Sequence, residues 1–181
     1  KKHLLHVRNI YLISYGIMKI LVCGLPGSGK TWLSERLVKH IDNCAWYNAD
    51  FVRKYANDWD FEPEGRMRQA NRMKTFADFE KSNGRWVVCD FVAPTVKART
   101  AFDADFLIWI DTINEGRVVS AKLDQLNEIN NLPFDADTLS TSKIFDDTTK
   151  MFEKPNNADA HIQDFLNDEE IKTLAEKIKN V

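Results

Sequence analysis

The sequence predicts an α/β fold, a parallel β-sheet flanked by helices with a lid at one end. Three observations carry this. Short apolar runs of strand length alternate with longer amphipathic stretches, the pattern of strands linked by crossover helices. Gly24-Leu25-Pro26-Gly27-Ser28-Gly29-Lys30-Thr31 has the form G-x-x-x-x-G-K-[S/T] and lies between an apolar run and an amphipathic stretch. Two further apolar runs end in aspartate, Asp90 and Asp111, where open α/β sheets present groups to ligands.

The elements follow in order. Lys19 to Cys23 reads as a buried strand, and Thr31 to His40 as a helix with Trp32, Leu33 and Leu37 on its apolar side. Cys44 to Asn48 reads as a second strand and Phe51 to Ala56 as a short helix. A polar and aromatic loop, Asn57 to Pro63, leads into a long helix over Glu64–Asn83 that stops near Gly84. Trp86 to Cys89 is a third strand. Pro94 to Phe102 suits a helix with proline near its start. Phe106 to Ile110 is a fourth strand, Asp159 to Gln163 holds a fifth, and Glu169 to Lys179 is a surface helix. Between them, Thr112 to Asn157 shows one helical patch, Arg117 to Ile129, and otherwise polar sequence. A connection of this length in a compact domain is usually functional, and here it reads as a lid closing over substrate.

The glycine-rich loop has a physical purpose. Gly24, Gly27 and Gly29 let the backbone curl so that N–H groups converge on a polyphosphate, with Leu25, Pro26 and Ser28 completing the cradle. The following helix adds the positive end of its dipole. Lys30 is expected to reach the β- and γ-phosphates of ATP, and Thr31 to place its hydroxyl on Mg²⁺. The architecture that joins such a loop to a parallel sheet is the P-loop NTPase fold.

Composition narrows the class. The chain has 181 residues, 44% hydrophobic and 29% charged, with a formal net charge of -2. That suits one globular domain and argues against general nucleic-acid binding through a basic surface. The three cysteines, Cys23, Cys44 and Cys89, form no C-x-x-C pair and read as reduced residues of a cytoplasmic protein. Residues 1–17 differ in character. Their apolar run is too short and too interrupted by His6, Arg8 and Asn9 to span a membrane, and no clear small-residue cleavage site follows. They read as a dispensable or non-native extension before a single nucleotide-binding domain over residues 18–181. No membrane partner is expected, and a homodimer is compatible with the chain.

Phosphoryl transfer needs a group that orients the attacking hydroxyl and cations around the acceptor. Asp50, just past the second strand, suits the first task or a place near Mg²⁺, and equally suits capping a helix from Phe51. Arg53, three residues on, shares its face. Asp90 ends an apolar strand in the manner of a Walker B aspartate, or starts a turn; Asp111 fits a turn or cap better. Arg68 and Arg72 share a helix face, and Arg68 reads as a solvated charge. His161 reads as structural. Phe61, Phe91, Phe145 and Phe152 read as packing residues, any of which could stack on a base.

These pieces together resemble the adenylylsulfate kinase family, over about Lys19 to Ile162. The phosphate loop is similar to the family's G-L-S-G-A-G-K-T. Asn48-Ala49-Asp50-Phe51-Val52-Arg53 resembles D-G-D-N-V-R, and Phe61-Glu62-Pro63-Glu64-Gly65-Arg66 resembles G-F-S-x-x-D-R. Phe91-Val92-Ala93-Pro94 resembles F-I-S-P, with Arg99 at a matching basic position. Phe145 to Pro155 resembles F-T-G-I-D-x-P-Y-E-x-P. The resemblance implies that Asp50 is the catalytic carboxylate and that Arg53 and Arg66 bind phosphosulfate. It also implies that Phe61 and Phe145 sandwich the acceptor's adenine, and that Gln69 and the backbone at Val92 and Ala93 line its pocket. Asn48, Gln69 and Ala93 depart from the family's Asp, Asn and Ser, and no K-G-L-Y-x-x-A-R segment lies between Asp111 and Phe145.

The expectation is an ATP- and Mg²⁺-dependent kinase acting on a small nucleotide acceptor, the 3′-hydroxyl of adenosine 5′-phosphosulfate. The alternatives are a kinase for another hydroxyl (a nucleoside, a sugar or a polynucleotide 5′-end) and a nucleotide-binding switch without kinase activity.

Overall fold

The computed structural model describes residues 16–113 and 146–181. Five strands form one sheet: β1 (Lys19–Gly24), β2 (Cys44–Asn48), β3 (Trp86–Asp90), β4 (Phe106–Ile110) and β5 (Ala160–Ile162). Their order is β2-β3-β1-β4-β5, and every pairing is parallel. The helices are α1 (Lys30–Leu37), α2 (Ala49–Ala56), α3 (Pro63–Ser82), α4 (Val96–Phe102), α5 (146–150) and α6 (Asp168–Lys179). The expected P-loop NTPase architecture is therefore present. The helix expected to reach His40 ends at Leu37, where a 3₁₀ turn over Val38–His40 takes over.

Parallel strands covered on both faces carry apolar residues at successive positions, because each side chain of the pleat meets a layer of helices. In β1, Leu21 and Cys23 face one layer, made by Ala49 and Val52 of α2, Ala70, Met73 and Ala77 of α3, and Phe102 of α4. Ile20 and Val22 face the other, made by Leu33 and Leu37 of α1 and Ile171, Leu174 and Ile178 of α6. A buried lysine, Lys19, enters the sheet with its ammonium on Asp78 at 2.7 Å. Cys23 and Cys89 are buried and Cys44 partly so, and all three are free thiols.

This layering positions the site. The chain leaves β1 toward the α1 face and leaves β3 toward the α4 face. Adjacent strands whose connections diverge open a crevice at their carboxyl ends. The lips of that crevice are joined across it: Phe91 N–H donates to Val22 O at 3.2 Å and Gly24 N–H to Val92 O at 3.4 Å. Among the described residues, no helix is long and apolar enough to cross a membrane. The lid expected over Thr112–Asn157 falls mostly outside the described residues, as do its helical patch and Phe145.

Candidate functional site

The phosphate loop connects β1 to α1. Gly24 is required by close approach: a side chain there would collide with the carbonyl oxygen of Ile110 and the hydroxyl of Ser28. Gly29 is required by conformation, with φ at 97° in the left-handed region immediately before α1. Lys30 folds over the loop and donates to Leu25 O at 2.9 Å. Burial in the crevice pulls its pKa down, while the carboxylates of Asp90 and Asp50 pull it back up. Lys30 and both aspartates therefore share one electrostatic neighbourhood.

Asp90 is 2% exposed. It lies opposite Val22 and Asn48 in the parallel register, so strand pairing alone delivers it to the loop. Its carboxylate accepts hydrogen bonds from Asn48 Nδ2 at 3.2 Å and, more weakly, from Trp46 Nε1 at 3.4 Å, and the Thr31 hydroxyl is close enough to lower its pKa. Burial raises its pKa to about 6, against the lowering influence of Thr31, Lys30 and Asn48. A hydroxyl beside a carboxylate is a hard oxygen donor set, the kind Mg²⁺ takes. Thr31 and Asp90 thus fit the ion, with Asp50 facing the same space.

The start of α2 corrects one expectation. The helix begins at Ala49, and its cap is Asn48, whose Oδ1 accepts from Asp50 N at 3.0 Å and Phe51 N at 3.1 Å. Asp50 is therefore not the cap; it stands in the first turn with its carboxylate released for other work. It is open to solvent yet ringed by protein, and that partial desolvation raises its pKa, with Lys30 and Arg53 opposing.

Arg53, only 5% exposed, donates from Nη1 to Asp58 O and Asp60 O at 2.9 Å each, and its guanidinium lies 4.5 Å over the Phe61 ring. Arg66 approaches the same ring at 5.8 Å, and donates to Phe61 O at 2.5 Å and to Thr148 Oγ1 at 2.9 Å. Among the described residues, the hydrogen-bond acceptors on these two guanidiniums are neutral oxygens, while Asp58 and Asp50 attract Arg53, and Asp147 and Glu62 attract Arg66, at longer range. Arg68, read as a solvated charge, instead grips Asp58 with two bonds at 2.8 Å, and Arg72 joins it at 2.8 Å. These two arginines hold the Asp58 carboxyl well below the usual carboxylate range.

Gln69 and Ala93 do not present side chains to an opening. Gln69 is buried, donating to Ala49 O at 3.0 Å and accepting from Arg72, so it locks α2 onto α3. Ala93 is buried with φ at 43°, and its carbonyl is held at 2.9 Å by Arg99, itself 8% exposed. The segment after Phe152 docks here too, Glu153 N–H donating to Pro94 O at 2.8 Å.

Two features escape sequence reasoning. The first is a shallow hollow beside the loop, lined by Ser28, Gly29, Trp32, Thr112, Phe165 and Leu166 among others. Phe165 is 61% exposed, meets Trp32 edge-on at 5.7 Å and covers Gly29. Thr112 ties this wall to the loop by donating to Ser28 O at 2.7 Å. The second is His161, which stacks flat on Trp109 at 4.0 Å and contacts Asp111 at 2.9 Å on the outer edge of the sheet. No periodicity marks either, because the partners are far apart in sequence.

The chain resembles known proteins in the same terms. A protein of Aeropyrum pernix named "probable adenylyl-sulfate kinase" is 33% identical over 92 residues, 48% of this chain and 50% of that protein. The chain thus matches about half the length of that curated relative. In fold it is similar to the adenylylsulfate kinase of Mycobacterium tuberculosis solved with AMPPNP and APS, at a TM-score of 0.66 and 18% identity over 91% of this chain and 98% of that one. A gluconokinase of Sinorhizobium meliloti superposes at a TM-score of 0.56 and 14% identity, over 90% of this chain and 91% of that one. The likeness to adenylylsulfate kinases expected from the motifs is found in both comparisons. The sequence model described as AAA domain matches residues 20–128, more than half of the chain, and the chain belongs to that family.

Proposed function

We propose that this chain is a kinase that transfers the γ-phosphate of ATP to the 3′-hydroxyl of adenosine 5′-phosphosulfate. The observation that carries the reading is the pair Arg53 and Arg66. A buried guanidinium and a half-buried one flank one aromatic ring, and among the described residues their hydrogen bonds go to neutral oxygens, the carboxylates of Asp50, Asp58, Asp147 and Glu62 acting on them at longer range. A desolvated guanidinium whose hydrogen bonds go to neutral oxygens gains from a directly bound anion. A phosphosulfate group supplies that anion, and an adenine supplies a stacking partner for Phe61.

The phosphate loop would hold the triphosphate through its amides and Lys30, with Phe165 and Trp32 walling the space beside it. Thr31 and Asp90 would hold Mg²⁺, which when bound neutralises charge on the phosphates. Asp50 would accept the proton of the acceptor hydroxyl as its oxygen bonds to the γ-phosphorus and the bond to the β-phosphate oxygen breaks, releasing ADP. Its raised pKa suits a group that takes a proton during the transfer. The relatives' names support this assignment, since they include two adenylylsulfate kinases and a kinase for another hydroxyl.

A coupled ADP-release assay with adenosine 5′-phosphosulfate, gluconate, a nucleoside and a 5′-hydroxyl oligonucleotide tests it. Turnover with the phosphosulfate at a kcat/KM at least 100-fold above the others is expected. Preference for an uncharged hydroxyl overturns the acceptor assignment, and absence of turnover with every acceptor alongside tight AMPPNP binding points to a nucleotide-binding switch.

A further inference from the structure

The Asn48 side chain touches the phosphate-loop helix, the end of β3 and the start of α2 together. Its Oδ1 takes two backbone N–H groups, those of Asp50 and Phe51. Backbone N–H groups only donate, so the oxygen must face them and the amide nitrogen must face the other way. That nitrogen donates to Thr31 Oγ1 at 3.0 Å and to Asp90 Oδ2 at 3.2 Å. The side chain is buried, so each bond acts at low dielectric and each would be costly to leave unmade. The Thr31 hydroxyl lies near enough to Asp90 to stabilise its charged form. The carboxamide therefore bridges hydroxyl and carboxylate and fixes the orientation of both.

We infer that Asn48 is a positioning residue for nucleotide binding, holding the Thr31 hydroxyl and the Asp90 carboxylate at a set separation while leaving that face one negative charge lighter than a carboxylate would. The inference rests on the reading of the loop as a site for ATP with Mg²⁺, and it does not depend on the identity of the acceptor.

Two substitutions separate this role from the helix cap. Serine and aspartate are both strong caps, so Asn48→Ser and Asn48→Asp each keep an oxygen for the first turn of α2. Neither can donate as the amide does: serine is too short to bridge Thr31 and Asp90, and aspartate sets a second carboxylate against Asp90. The affinity for AMPPNP is measured by calorimetry with and without Mg²⁺, beside thermal melts. Asn48→Asp is expected to weaken metal-free AMPPNP binding at least 10-fold and to enlarge the gain from Mg²⁺, because the added charge repels the phosphates and attracts the ion. Asn48→Ser is expected to shrink that gain at least threefold, because the Thr31 hydroxyl is no longer held. Opposite shifts in proteins of near-equal melting temperature do not arise from general loosening. A Mg²⁺ gain within twofold of the parent in whichever variant folds overturns the inference. Failure of the parent to bind AMPPNP overturns the underlying reading instead.

Discussion

Gly65 packs against Asp60 so closely that a methyl group on Gly65 would overlap both the carbonyl oxygen and the carboxyl carbon of Asp60. That same carbonyl is one of the two gripped by Arg53. The missing side chain in the first turn of α3 thus lets the Asp58–Asp60 loop sit down on the arginine. Gly65→Ala should cost about 1–3 kcal/mol, the usual penalty for overpacking a tight contact. It should also raise the acceptor KM at least fivefold and leave the ATP KM within twofold. Thermal melts and steady-state kinetics check both; an unaltered acceptor KM would detach this loop from acceptor binding.

Asp50 lies in a helix whose cap is another residue, so replacing it need not disturb the fold. Asp50→Asn should lower kcat about 100-fold or more, the range for loss of a general base. AMPPNP affinity should stay within threefold. Stopped-flow or coupled assays beside calorimetry would show it, and full turnover would remove Asp50 from the chemistry.

For Arg66, the guanidinium bonds among the described residues to Phe61 O and Thr148 Oγ1, both neutral. Arg66→Ala should therefore raise the acceptor KM about 10-fold or more with little effect on the ATP KM, the scale of one lost charge-assisted contact. Equal increases in both constants would contradict the assignment.

Asp90 makes stability depend on pH in a defined direction. Its folded pKa of about 6 lies above the ordinary 3.8, so the folded state binds the proton more tightly than the unfolded state. The stability this contributes is fully present below about 3.8 and is lost as pH rises through about 6. Relative to Asp90→Asn, the unliganded parent should lose about 2 kcal/mol between about pH 4.5 and pH 7. Denaturant titrations at the two pH values read the difference, and a constant offset between the proteins would place the Asp90 pKa near its ordinary value.

Phe165 covers Gly29 and meets Trp32, while Arg36 lies 4.2 Å over the Trp32 ring. Phe165→Ala should weaken AMPPNP about 3- to 10-fold, the cost of one stacking surface, without changing the acceptor KM. Fluorescence of Trp32 on nucleotide addition would report the same contact.

Much of this molecule is legible in its sequence because local chemistry and tertiary structure agree. Cys44–Asn48 and Phe106–Ile110 match their strands to the residue, and the phosphate loop stands where its glycines put it. The start of α2 is shifted because both Asn48 and Asp50 are good caps, and only the register of β2 on β3 decides which one faces the helix. Arg68 looked like a solvated charge because Asp58 is ten residues away around a turn. Asn48 first stood out as a departure from a family motif; its four hydrogen bonds join segments from Thr31 to Asp90 that no sequence window contains.

The layer formed by α1 and α6 sets an order on how the protein can be made. Leu33 and Leu37, directly behind the phosphate loop, are covered by Ile171, Leu174 and Ile178 from the far end of the described chain. Among the described residues every strand pairing is parallel, so these side chains are not covered by a local hairpin. That part of the cradle's back is completed only when α6 docks, and such non-local closure is slow.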